Sequence, residues 1–164
     1  MWVGVDAVNW GGLQHNYGSA EGVPDLLRRC AGPDADDADE AASELLNLLF
    51  HQGGWVCSAA SAALPFVLRL AATPQVPSRC AMLELVGMLA AEAGRVEVRF
   101  LDPDWAPAWE RALPKLLLLL DDPLPEIRRA AADVVGACNS PANWCCPRCC
   151  GPGRRRVIRP AALS

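Results

Sequence analysis

Cys146-Pro147-Arg148-Cys149 is the spacing in this chain most suggestive of chemistry. A CxxC can give two thiolates to zinc, but a closed structural site needs four ligands. Cys145 and Cys150 are directly adjacent, where neighbouring side chains diverge, and no His follows. No zinc knuckle is expected. His15 and His51 are the only histidines. One falls in an N-terminal loop and the other at a helix end, and backbone hydrogen bonding is the expected role of such residues. Asp34, Asp36, Asp37, Asp39 and Glu40 lack the D-x-D-x-D-G spacing and the closing Glu of a calcium loop. They read as a solvated helix start, where carboxylates favour the N-terminus. Trp105 and Trp109, four apart beside Asp102, share one helical face and are candidate surface contacts. Cys30, Cys57, Cys80 and Cys138 read as small buried hydrophobes in a reducing compartment. None of these patterns calls for a catalytic residue, a cofactor or a metal.

The elements that position these residues are helices. Leu113, Leu116, Leu117 and Leu120 fall at i, i+3, i+4 and i+7, a stripe that buries one helical face. Asp121-Asp122-Pro123-Leu124-Pro125 breaks that helix, and Pro125 opens the next where its missing N–H costs nothing. Ile127, Ala130, Ala131, Val134 and Cys138 form the second stripe. The same logic gives three helical pairs: 20–31 with 38–52, 57–72 with 78–93, and 105–121 with 125–138. No sheet is expected. Ser19 is the expected cap of the first helix, and Ser58 or a near neighbour that of the third. The inward faces are Val23, Leu26, Leu27 and Cys30, then Ala41, Leu45, Leu48 and Leu49. Ala60, Leu64, Val67, Leu68 and Ala71 follow, then Met82, Leu85, Val86 and Leu89. Pro65 lies inside its helix and predicts a kink near Ser61.

A repeat underlies the pairs. Pro24, Pro65 and Pro114 occupy matching places in V-P-D-L-L-R, L-P-F-V-L-R and L-P-K-L-L-L, spaced 41 and 49 apart. Glu44, Glu84 and Asp133 mark the partner helices at spacings of 40 and 49. The longer interval holds an insertion, residues 93–106, of the kind that falls on one face of a solenoid.

The L-P-x-L-L-x-L-L pattern, the D-D-P-x-P-E turn and the following I-R-R-A-A-A resemble a HEAT repeat, whose period is about 40–47 residues. Leu124 departs from that pattern by replacing the usual polar cap, a loss of about 1 kcal/mol. The resemblance implies an all-α fold: a short α-solenoid of about three HEAT-like helical hairpins over residues 20–140. An irregular segment, 1–19, precedes it and a Cys/Arg-rich tail, 141–164, follows. It implies a non-enzymatic, protein-binding scaffold whose second helices line a concave surface. In the family an acidic residue after the first helix and an Arg opening the second often link neighbouring repeats. Asp122 with Arg128 or Arg129, and Arg79 in the second hairpin, are the matching positions. W-G-x-L-x-H-x-Y-G-S-A and H-Q-G look like features of HEAT-repeat proteins from high-GC actinobacteria. Two enzymatic relatives give the alternative. HEAT-like DNA glycosylases place Trp and Asp in a groove, which invites comparison with Trp105, Trp109 and Asp102; in the bilin lyases only the repeat matches.

Charge bears on the partner. Up to Asn143 the chain carries all nineteen acidic residues against ten basic ones, a net −9, and a single Lys, Lys115. Such a body repels phosphates, so the expected partner is another protein rather than nucleic acid. The Arg-rich, Ala-rich composition suits a GC-rich bacterial genome. The N-terminus shows no targeting signal and Leu116–Leu120 is too short for a membrane span, so a soluble cytoplasmic protein is expected. The tail holds Arg148, Arg154, Arg155, Arg156 and Arg159 and no acid. It reads either as a native disordered basic segment or as an out-of-frame remnant of a fourth repeat, since a GC-rich back-translation shifted one base gives L-V-L-P-A-L-L-R. On the second reading the third hairpin lacks a cover over Leu117–Leu120 and Val135, and self-association is expected.

Overall fold

Pro24 sits in the first turn of α1 (Val23–Cys30), and Val23, Leu26, Leu27 and Cys30 bury one face of this short helix. The computed structural model describes residues 2–50 and 53–138, and among these the chain is mostly helical. Asp34 caps α2 (Ala35–Leu49), its carboxylate accepting the N–H groups of Asp36 at 3.0 Å and Asp37 at 3.2 Å. Next come α3 (Ser58–Ala71), α4 (Arg79–Ala93) and α5 (Trp105–Leu118), the last tightening into a 3-10 turn at Leu119–Asp121. Pro125 opens α6 (Pro125–Cys138). The six helices match the expected spans to within a few residues.

α1 packs on α2 and α3 on α4, while α4 makes its broadest contact with α6 and α3 packs on α5. α1 also touches α3, and α2 touches α4. One continuous apolar core runs through all six helices, with Leu27, Leu45, Leu64, Leu68, Met82, Leu85 and Leu89 almost wholly buried.

Several local expectations are corrected. A two-stranded antiparallel ribbon pairs β1 (Gln14–His15) with β2 (Gly18–Ser19), Gln14 opposite Ser19. Strands of two residues are too short to show an alternating pattern. The ribbon turns through Asn16-Tyr17, and Gly18 takes a φ of +141°, which suits a residue without Cβ. α1 starts at Val23 behind Gly22, so Ser19 lies in β2 and caps nothing. Cys57, the neighbour of Ser58, takes the cap position of α3 as the sequence allows but makes no side-chain cap bond, and the Ser58 hydroxyl accepts the Gln14 N–H at 3.0 Å. Leu117, still within α5, is 43% exposed, so the buried face of that helix runs through Leu113 and Leu116 instead, and Leu119 is buried in the 3-10 turn that follows. Cys80 is exposed, in contrast to the buried Cys30 and Cys57.

The N-terminal segment is part of the packed body. Val5 and Trp10 are buried in the common core, and the Trp10 indole N–H donates to the Val5 carbonyl at 2.8 Å. Asn16 fastens the ribbon to the end of α2 by donating both its backbone N–H (3.0 Å) and its side-chain amide (2.8 Å) to the Leu48 carbonyl. The insertion is tied down as well. Leu101 forms a parallel bridge to Val56: Val56 donates to Phe100 at 2.9 Å and Asp102 donates to Val56 at 3.0 Å. Two chain segments therefore run the same way just before α3 and α5, which start side by side.

Candidate functional site

Three places in the described residues gather polar side chains. The first is the start of α4. Ser78 and Arg79 are consecutive, both almost fully buried, and reach in different directions. The Ser78 hydroxyl donates to the carbonyl of Cys30, the last residue of α1, at 2.9 Å. Arg79 donates through Nε to the Ala71 carbonyl closing α3, at 2.7 Å, and through its guanidinium fork to both carboxylate oxygens of Asp122. Two adjacent residues thus bond to the end of α1 on one side and to the turn before α6 on the other. The Arg79–Asp122 ion pair is itself buried, its side chains 4% and 8% exposed. The Arg79 guanidinium holds the Asp122 carboxyl below the usual carboxylate range, opposed by burial and helped by the Leu124 N–H. That Leu124 N–H meets Asp122 Oδ1 at 3.0 Å, so the acid also organises the turn into α6. Arg128 donates to the Asp122 and Pro123 carbonyls at 2.8 and 3.1 Å, which fixes the same turn from outside, whereas Arg129 is exposed.

The second place is the entrance to α3. Gly53 and Gly54 have φ of +82° and +100°, and the Gly54 N–H donates to Glu92, a buried carboxylate near the end of α4. A Cβ on Gly53 would lie 2.8 Å from both carboxylate oxygens, so only glycine fits there. Arg95 neutralises Glu92 at 2.9 Å. The acid serves as the cap on a tight loop, one oxygen taking the Gly54 N–H and the other the Arg95 guanidinium.

The third is a groove of about 440 Å³ between α3 and α5, closed at one side by Val8. Its wall is apolar, led by Pro65 and Phe66. Phe66 is braced by Trp10, with ring centroids 6.1 Å apart, and by Arg69, 5.4 Å above its ring. Its polar groups are Ser61, Arg111 and Lys115. The Ser61 hydroxyl is buried and has no hydrogen-bond partner among the described residues.

Other expected residues fall elsewhere. Trp105 and Trp109 are 1% and 2% exposed and stack on each other at 5.9 Å, so they are core residues rather than the surface contacts their spacing predicts. Two large aromatics on one face sit more readily against the core than in water, and α5 turns that face inward. With its tryptophans buried, the Trp105–Trp109–Asp102 set presents no aromatic platform to a base. His15 Nδ1 accepts the Tyr17 N–H at 3.0 Å. Burial raises the Cys30 thiol to about 12 and raises Cys57 as well. No group of three or more His, Cys, Asp or Glu among the described residues could hold a metal. His51, the side chain of Cys138 and the whole Cys/Arg-rich tail lie outside the described residues. No described helix is long and apolar enough to cross a membrane.

Ser78, Ser61, Glu92 and the Arg111–Lys115 pair escaped the sequence reading. Ser61 with Pro65, and Arg111 with Lys115, stand four apart and were visible as helix neighbours. That the hydroxyl and the two cations lack partners was not. The chain matches no protein-family model, no curated protein and no solved structure.

Proposed function

We propose that the chain is a short α-solenoid of three HEAT-like hairpins that works as a non-enzymatic protein-binding scaffold. The observation that carries this reading is the start of α4, where Ser78 and Arg79 bond to the hairpins on either side. Repeats that contact only their neighbours need such links, and a stack of them offers a surface rather than a pocket. The helix contacts support two layers, with α1, α3 and α5 in one and α2, α4 and α6 in the other. The second-layer helices expose Asp36, Asp39, Glu84, Glu126 and Asp133 against Arg128 and Arg129. A partner with a basic surface suits them. Exposed Leu117, Leu118 and Leu124 at the third hairpin are a further apolar surface through which copies would associate.

The test is capture from the native host on the immobilised full chain, repeated with Glu84→Lys and Asp133→Lys together. The reading expects one or a few basic proteins retained by the parent and lost by the double variant, with helicity unchanged. Retention of no protein, or equal retention by both, overturns it.

A further inference from the structure

The groove between α3 and α5 has an unmet chemical demand. Ser61 lines it, is 3% exposed, and its hydroxyl has no hydrogen-bond partner among the described residues. A polar atom buried in this way costs on the order of 1–3 kcal/mol unless something bonds it. Four residues on, Pro65 has no N–H to return to the Ser61 carbonyl, so the regular helical bond is missing at the same turn of α3. Across the groove, Arg111 and Lys115 stand one turn apart on α5, both exposed. Neither forms an ion pair among the described residues. In a body with nearly two acidic residues for each basic one, two adjacent cations without a carboxylate stand out.

Between these polar ends lies the apolar wall of Pro65, Phe66 and Ala112, with Phe66 fixed by Trp10 and Arg69. The volume of about 440 Å³ falls within the range of small-molecule sites, roughly 300–1,000 Å³. We propose that this groove binds a small amphipathic carboxylate, a medium-chain acyl or arylalkyl acid. Its apolar body lies on Pro65 and Phe66, its carboxylate takes Arg111 and Lys115, and the Ser61 hydroxyl bonds a polar atom of the ligand. A bare phosphate would leave the apolar wall wet, and a neutral lipid would leave both cations unused. The site stands on first-layer helices and does not depend on the scaffold reading.

Titration calorimetry on the full chain with sodium decanoate, kept below its micelle concentration, tests the proposal. Decanamide serves as the neutral counterpart and inorganic phosphate as the apolar-free anion. Saturable one-to-one binding of decanoate is expected, with decanamide and phosphate each weaker by at least about tenfold, the worth of one charge-assisted hydrogen bond. Arg111→Gln with Lys115→Gln, both at exposed positions, should lower decanoate affinity by a similar factor while helicity stays unchanged. Amide chemical shifts of the parent protein should move in α3 and α5 on adding decanoate, a readout that needs no variant. The proposal is overturned by any one of four results: no saturable binding, equal binding of decanamide, equal binding of phosphate, or shifts confined to the third hairpin's exposed leucines.

Discussion

The start of α4 and the α3–α5 groove both set polar side chains among packed helices, and they are finished differently. At the start of α4, Arg79 meets Asp122 and the Ala71 carbonyl while Ser78 meets the Cys30 carbonyl. In the groove, the buried Ser61 hydroxyl has no hydrogen-bond partner, and the exposed Arg111 and Lys115 no carboxylate partner, among the described residues. A buried polar group that is satisfied holds elements in register, whereas one left open is a cost that folding alone does not explain. The first region therefore reads as structure, and the second as a place prepared for something that is not part of the chain.

The largest expected effect comes from breaking the finished region. Arg79→Ala leaves Asp122 buried without its cation and should lower unfolding free energy by about 3–5 kcal/mol. Replacing both partners, as Arg79→Met with Asp122→Leu, should cost far less, because no charge is then stranded. Chemical denaturation of the three proteins checks this. If the single variant is no worse than the double, the pair does not hold the hairpins together. Leu85→Ala on the same helix supplies the apolar scale: it is almost fully buried and should cost about 2–5 kcal/mol.

Much of this architecture was legible beforehand. Stripes at helical spacing, prolines at first turns and the D-D-P turn located six helices to within a few residues, because each signal is local. Residues 79 and 122 were marked from the repeat pattern, while the way Ser78 joins the neighbouring hairpin was not. That bond connects residues 48 apart, and nothing in the local sequence encodes it. Trp105 and Trp109 misled for a related reason. Their spacing establishes that they share a face, but only packing decides whether that face turns inward. The N-terminal segment has no period, so its buried Val5 and Trp10 left no mark in the pattern.

pH gives a smaller and more selective probe of the finished region. The native Asp122 carboxyl lies below its ordinary value of 3.8, so the folded chain binds fewer protons there than the unfolded chain. Its contribution is fully present above pH 3.8 and is lost as pH falls through the lower native value. The stability gap between the parent and Asp122→Asn should therefore narrow as pH drops below about 4. A gap that stays constant across that window would mean the Arg79 contact does not depend on the carboxylate's charge.

The smallest effect, and the one that separates the two regions most sharply, is Ser61→Ala. In a region whose hydrogen bonds are complete, deleting a buried hydroxyl strands its partner and costs stability. Ser61 has no partner to strand among the described residues, and alanine keeps the Cβ that packs in α3 while removing an atom buried without compensation. The free chain should therefore be unchanged or more stable by up to about 1 kcal/mol, opposite in sign to Arg79→Ala. The same variant should weaken binding of 10-hydroxydecanoate, whose far hydroxyl would meet Ser61, and leave decanoate, which has no polar atom at that end, unchanged. Thermal unfolding with and without 10-hydroxydecanoate reads both at once. A variant that is clearly less stable without ligand would show that the Ser61 hydroxyl is satisfied within the fold, and the contrast between the groove and the start of α4 would collapse.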